Sequence, residues 1–247
     1  MIVEEMPAIG LDELVGRASL LHRFDRKYLL PVADLPVLLN ALAGRVRVLE
    51  VEGSRRMAYR SSYFDSPGLD CYLAAARRRR RRFKLRIRTY VETDRHFLEV
   101  KTRGPRGRTL KERTSLRHNA LADGSEMLSR TGIQHDLSDF VPVLTVDYHR
   151  TTLFAPALHE GGRITIDTDL RWRLPGGAGV RTPGLAVVET KSPTAGQDAD
   201  RLLRALKHRP CSISKYGTGM AALRPDLPAN HWRPVLRRHF PPTSEMR

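Results

Sequence analysis

Apolar and polar positions alternate with a period of two in a series of short runs, the pattern of half-buried β-strands. In residues 83–90 (FKLRIRTY), Lys84, Arg86 and Arg88 fall on one face and Leu85 and Ile87 on the other. In residues 97–103 (FLEVKTR), Glu99, Lys101 and Arg103 share a face opposed by Leu98 and Val100. HRFDRKYLLP sets Arg23, Asp25 and Lys27 together, and RTLKERTSL aligns Thr109, Lys111 and Arg113. PVLTVDYHRTTLF carries Arg150, GGRITIDTDLRWR aligns Arg163, Thr165 and Asp167, and LAVVETKS places Glu189 beside Lys191. VRVLEVEG and RMAYRSSYFDSP, which carries Arg60, complete the strand candidates.

SKYGTGMAAL holds Lys215 before a helix or turn, and helical spacing appears in LDELVGRASLL, LDCYLAAARR, DADRLLRALKH and part of residues 119–140. It also marks ADLPVLLNALAG, where Asp34 is placed to cap and Gly44 to end the helix. ETDR reads as a hairpin connection, GPRG (residues 104–107) as a turn and PGGAGVRTPG as a loop. From Arg224 the Pro-rich basic tail loses periodicity and is expected to lack fixed structure. No repeat and no strong internal boundary appears, so residues 1–223 read as one domain and 224–247 as a tail.

Charge changes the picture. The 247 residues carry a net charge of +16, which implies a polyanionic partner. An ordinary sheet would turn charged stripes to water, but several strands of this kind point to a barrel turned inside out. The expected fold is α+β: an antiparallel eight-stranded β-barrel tunnel with a basic lumen, flanked by helices. Two like charges ~6 Å apart repel by about 2–3 kcal/mol at an effective dielectric near 20, so such a lumen calls for an anion. A phosphate chain suits it, accepting charge-assisted bonds along its length. Asp25, Glu99, Asp167 and Glu189 share the charged faces, either as divalent-cation ligands or as internal ion-pair partners. Two cysteines exclude a disulfide framework or a Cys-based zinc site, and the histidines lack metal-ligand spacing. With no long apolar run and no basic, apolar leader, a cytoplasmic protein without a membrane span is expected.

HRFDRKYLL, YRSSYFDSP, FKLRIRTY, FLEVKTR, LKER, YHRTTL, RITIDTDL, VVETK and ISKYG follow one another over about residues 20–220. In this order they resemble the VTC domain, the polyphosphate polymerase module of the vacuolar transporter chaperone type. That domain is one of the triphosphate tunnel metalloenzymes, related to the CYTH proteins. The resemblance implies an ATP-dependent polymerase that adds the γ-phosphoryl group to a polyphosphate chain and uses Mn²⁺ or Mg²⁺. It implies Lys27, Arg86, Arg88, Lys101 and Lys215 as catalytic residues. Arg23, Arg60, Lys84, Lys111, Arg150, Arg163 and Lys191 are implied for phosphate or nucleotide binding, and Glu189 for the metal. For Glu99 and Asp167 the ion-pair role is expected instead. Where CYTH relatives carry Glu-x-Glu-x-Lys, this chain has Arg23-x-Asp25-x-Lys27, with arginine first as in the polymerases. A tripolyphosphatase or nucleoside triphosphatase of the same fold, or a non-catalytic polyphosphate-binding module, is the alternative. ATP and polyphosphate are the expected partners, and an unidentified protein partner stays open. The run Arg77 to Arg82 reads as a solvated face near the tunnel mouth rather than a nucleic-acid site.

Overall fold

The computed structural model describes residues 2–17, 24–103, 109–116, 120–156, 162–192 and 198–240. Its first elements are β1 (Ala8–Ile9), α1 (Leu11–Arg17), β2 (Phe24–Pro31), α2 (Leu35–Leu42, entered through a 3₁₀ turn), β3 (Arg47–Leu49) and β4 (Met57–Asp65). Then follow α3 (Asp70–Ala76), β5 (Arg82–Tyr90), β6 (Arg95–Arg103), β7 (Thr109–Ser115), α4 (Ala120–Arg130) and β8 (Val141–Ala155). The chain continues through β9 (Gly162–Arg173), β10 (Gly179–Thr182), β11 (Leu185–Ser192), α5 (Asp198–Ala205), α6 (Lys215–Leu223) and α7 (Arg233–His239).

The fold is α+β, built on antiparallel strands flanked by helices, as the alternation predicts. The main strand path reads β2-β11-β9-β8-β4-β5-β6-β7 and ends at β2 and β7 without a closing pair among the described residues. β7 is dense in charge, the usual protection of a sheet edge. Two compact units divide the chain. One is Met1–Met57, Tyr148–Leu170 and Thr182–Ile213; the other is Ala58–Asp147, Arg171–Arg181 and Ser214–Arg247.

In the first unit β11 lies antiparallel between β2 and β9. Alternation sends Tyr28 and Leu30, Ala186 and Val188, and Ile164 and Ile166 to one side. There they meet Leu35, Leu38, Leu39 and Leu42 of α2 and Ala199 and Leu203 of α5. The α2 leucines follow i, i+3, i+4, i+7, a single helical stripe. Asp200 of α5 is fully buried on this side and accepts bonds from Arg26 (2.6 Å), the Tyr28 hydroxyl (2.8 Å) and the Thr190 hydroxyl (2.8 Å). Asp34 occupies the N-cap position of α2 without a side-chain capping bond; its carboxylate stands 2.9 Å from His208 instead.

In the second unit β5, β6 and β7 form consecutive antiparallel pairs, with β4 beside β5. Residues 92–94 of the ETDR stretch make the β5–β6 turn, whereas the turn expected at 104–107 lies outside the described residues. α4 covers the apolar side of β5 and β6. It approaches so closely that a Cβ on Gly124 would stand 3.0 Å from Leu137 and 3.4 Å from Leu85. The stretch expected as a loop at residues 175–184 contains the return strand β10, which pairs with β9. At the end of β4 the fully buried Asp65 accepts from the backbone N–H of Ser66, Cys71 and Tyr72, each at 2.9 Å, and from the Tyr216 hydroxyl. One carboxylate thus ties β4, α3 and α6 together. Within the tail, which was expected to lack fixed structure, Arg233–His239 form α7. Its anchor is the buried Trp232, 5.5 Å from Tyr72 between ring centroids and pressed on Gly217, where a Cβ would come within 2.1 Å of the indole.

Candidate functional site

Each unit carries a charged face on the side of its strands away from its apolar packing. In the second unit Arg86 stands opposite Tyr63 on β4 and Glu99 on β6, and Glu99 opposite Arg113 on β7. Lys84, Lys101 and Lys111 form the adjoining row, and Arg88 opposes Ser61 and Phe97. Directly opposed residues share a face with Cβ atoms roughly 5 Å apart, so the cations are crowded.

Glu99, 2% exposed, is their internal counter-ion. It lies 2.5 Å from Arg86, 2.7 Å from Lys111 and 3.6 Å from Arg88. Burial alone would raise its carboxyl, but the charges of Arg86, Arg88 and Lys111 overcome this and hold it well below the usual carboxylate range. Burial pushes the Lys111 ammonium down to about 8 against the pull of Glu99, with Arg88 and Arg86 adding to the push. One carboxylate shared among three cations leaves the cluster positive. Across the β4–β5 pair, the buried Arg88 Nε and Ser61 Oγ have no hydrogen-bond partner among the described residues. Such groups are costly to leave unmet, and an anion's oxygens would satisfy both.

Two aromatic rings support this face. The Tyr63 hydroxyl accepts from Arg86 at 3.0 Å, and its ring stacks on Tyr216 of α6 at 5.1 Å. Lys84 donates to the Ser214 hydroxyl at 2.8 Å, and Ser214 caps α6 by accepting from the Gly217 N–H. Lys215 comes next as the first residue of α6, its carbonyl receiving the Trp172 indole N–H at 2.8 Å. The fold therefore gathers Lys84, Arg86, Arg88, Lys101 and Lys111 on one face and brings the α6 start, with Lys215, to Lys84.

In the first unit Lys27 opposes Glu189, which opposes Thr165; Asp25 opposes Lys191, which opposes Arg163. Glu189 lies 3.4 Å from Lys191. Burial pushes the Lys191 ammonium down to about 7 against Glu189, and Arg163 and Arg150 push it further the same way. Arg150 grips the buried Asp167 with two bonds of 2.6 and 2.8 Å. Glu99 and Asp167 thus both serve as ion-pair partners.

Arg60 is not brought to the second unit's charged face. It opposes Thr89, so alternation puts it on the other side of β4 from Ser61 and Tyr63, where it binds Asp147 at 2.7 Å. Arg23 lies outside the described residues. From the sequence Tyr63 reads as fixing a strand end rather than doing chemistry, and neither Ser61 nor Thr165 is given a role. Strand parity was the available signal: Thr165 shares a face with Arg163 and Asp167, but a lone hydroxyl on a strand usually does nothing.

The profile of the family described as the VTC domain matches residues 22–224. The chain belongs to the VTC domain family. A candidate adenylate cyclase of Bacillus halodurans is similar in structure at 16% identity, with 78% of this VTC chain and 94% of that chain covered and a TM-score of 0.48. A candidate adenylyl cyclase from Hippeastrum, whose dominant activity is that of a triphosphatase, aligns at 16% identity over 84% and 98% of the two chains, TM-score 0.43. The PH1819 protein of Pyrococcus horikoshii aligns at 15% identity over 78% and 92%, TM-score 0.43. None of the curated proteins matches the chain significantly in sequence. No helix among the described residues is long and apolar enough to cross a membrane.

The VTC family implies a divalent cation, and the Glu189 region suits one. Glu189 is directly opposite Thr165, whose buried hydroxyl oxygen has no hydrogen-bond partner among the described residues. Oxygen donors are what hard cations take. No group of three or more His, Cys, Asp or Glu side chains among the described residues could hold the ion alone. The arrangement fits a cation that draws its remaining ligands from phosphate oxygens and water, as magnesium commonly does.

Proposed function

We propose that this VTC domain is an ATP-dependent polyphosphate polymerase. The observation that carries the reading is the crowded cationic face of β5, β6 and β7, with a single buried carboxylate as internal counter-ion and buried donors left open. A face of this kind is stabilised by a ligand that is anionic along its length, and family membership supports phosphates as that ligand.

In this reading Arg86, Arg88, Lys101, Lys84, Lys111 and Lys215 hold phosphate oxygens in the second unit. Lys27, Arg163 and Lys191 do so in the first, with Arg150 held in place by Asp167. A terminal oxygen of the polyphosphate chain attacks the γ-phosphorus of ATP. The bond from that phosphorus to the β–γ bridging oxygen breaks, and its electron pair leaves with ADP. The chain grows by one phosphate. Such transfer needs positioning and neutralisation of charge rather than a protein nucleophile. Glu189, with the Thr165 hydroxyl, would hold the divalent cation, which when bound neutralises phosphate oxygens. Mn²⁺ and Mg²⁺ both suit these donors.

Phosphorus NMR of the protein with ATP and Mn²⁺ tests the reading. A growing resonance of internal chain phosphates together with ADP is expected. Orthophosphate without a chain signal would assign the domain to triphosphate hydrolysis, and unchanged ATP would leave a binding module. Glu189→Ala should abolish both turnover and the Mn²⁺ binding seen by electron paramagnetic resonance; a variant still binding Mn²⁺ normally would remove Glu189 from the metal site.

A further inference from the structure

A surface pocket of about 480 Å³ lies along α7, lined by Asn230, Arg233, Pro234, Arg237 and Arg238. No carboxylate is among the residues lining it. The nearest acid in sequence, Asp226, is already engaged by Nε and Nη2 of Arg224 at 2.9 and 2.8 Å. Arg233 and Arg237 are four residues apart, which places them on one helix side, and both are exposed. α7 is held firmly enough to present them, because Trp232 is buried against Tyr72 and Gly217.

A second source of charge reaches the same helix. Burial, and then the charges of Arg78, Arg82 and Lys84, depress the pKa of His231, which immediately precedes Trp232. The geometry agrees: the Tyr72 hydroxyl of α3 donates to the Pro228 carbonyl at 3.1 Å and its ring lies 5.5 Å from Trp232, so the helix that leads into the arginine run packs on the segment that opens α7. Arg82, the last arginine of the run, is two residues from Lys84 on β5 and so shares its face.

We propose that the α7 arginine pocket and the Arg77 to Arg82 run form a docking strip for inorganic polyphosphate. The strip extends the β5 face beyond Lys84 and holds the chain away from the reacting phosphates. The choice of ligand rests on the polymerase reading. Guanidinium groups grip phosphate oxygens with two parallel bonds, and a chain of bare phosphates offers such oxygens at every unit. Single-stranded nucleic acid would also want aromatic faces for its bases. Here Trp232 is buried, and no exposed aromatic side chain lines the pocket.

The test is calorimetric titration of the full chain, without ATP, using long-chain inorganic polyphosphate and separately inorganic triphosphate. The parent should bind the long chain at least tenfold more tightly than triphosphate. The combined variant R233A/R237A/R238A should lose that advantage and keep its triphosphate affinity. Its slope of log affinity against log salt should fall by roughly 2–3, at 0.7–0.9 per lost phosphate contact. Replacing the three by lysine should restore only part of the affinity, since charge returns without the two-pronged geometry. Undiminished long-chain binding in the alanine variant would overturn the proposal. So would single-stranded DNA that binds more tightly than polyphosphate and is lost in the same variant. No turnover enters the measurement, so failure of the polymerase reading would show separately, as absent chain growth in the NMR experiment.

Discussion

Replacing Glu99 by glutamine removes one charge and almost no volume, so no cavity complicates the outcome. The carboxylate is 2% exposed and contacts Arg86, Lys111 and Arg88 at 2.5, 2.7 and 3.6 Å. Removing one member of a buried ion pair typically costs about 3–5 kcal/mol, since the remaining charge keeps its desolvation without its partner. Here several cations remain, and two of them ~5 Å apart repel by about 3 kcal/mol at an effective dielectric of 20. Lys111, already pushed down to about 8, relieves part of this by releasing its proton. The net expectation is the single-pair value of about 3–5 kcal/mol, or a melting temperature roughly 6–20 °C lower for a chain of this size.

Urea unfolding of Glu99→Gln and the parent at neutral pH measures this directly. The pH arm has a definite sign. The folded Glu99 carboxyl titrates well below its ordinary 4.5, so near that pH the unfolded chain binds a proton that the folded one does not. Its contribution is complete above 4.5 and drains away as the pH falls toward the folded value, so the gap between parent and variant should narrow on acidification. Inorganic triphosphate should restore more stability to the variant than to the parent, because phosphate replaces the missing counter-ion. A loss under about 1 kcal/mol, no more than an exposed pair contributes, would refute the role given to Glu99.

Three further outcomes follow from the same geometry. Lys111, down from 10.5 to about 8, should show that lower midpoint in competitive amine labelling, and stability should rise with pH between the two values because the unfolded chain then holds the extra proton; a midpoint near 10.5 would contradict its burial. Tyr216→Phe removes the hydroxyl that donates to Asp65 but keeps the ring on Tyr63, and should cost about 1.5–3 kcal/mol in denaturant unfolding; a neutral result would show the clamp to be idle. Gly219→Ala places a Cβ 2.1 Å from the Trp172 indole, and the required shift should cost at least about 1–3 kcal/mol, read as a lower melting temperature; an unchanged value would mean that α6 is free to move.

Local pattern was enough to read most strands, because a charged residue alternating with an apolar one can satisfy both environments only in an extended chain. It also gave the face of each residue within its own strand. Lys84, Arg86 and Arg88 were legible as a set, as were Glu189 and Lys191. Which strands pair, and in what register, is set by contacts distant in sequence. Only the tertiary structure could therefore decide that Glu99 belongs to Arg86 and Lys111, Asp167 to Arg150, and Asp200 to Arg26 and Tyr28. Arg60 shows the difference most plainly. Its charge and its strand were legible, yet the β4–β5 register turns it away from Arg86 and Arg88. The tail shows the reverse. Its Pro-rich, basic composition argued against structure, but Trp232 finds a socket made by Gly217 and by Tyr72, a residue far away in the chain. Sequence by itself determined most of the strands, the charge of their faces and the family. The partner of each charge had to await folding, because electrostatic energy depends on distance in space and no local pattern records it.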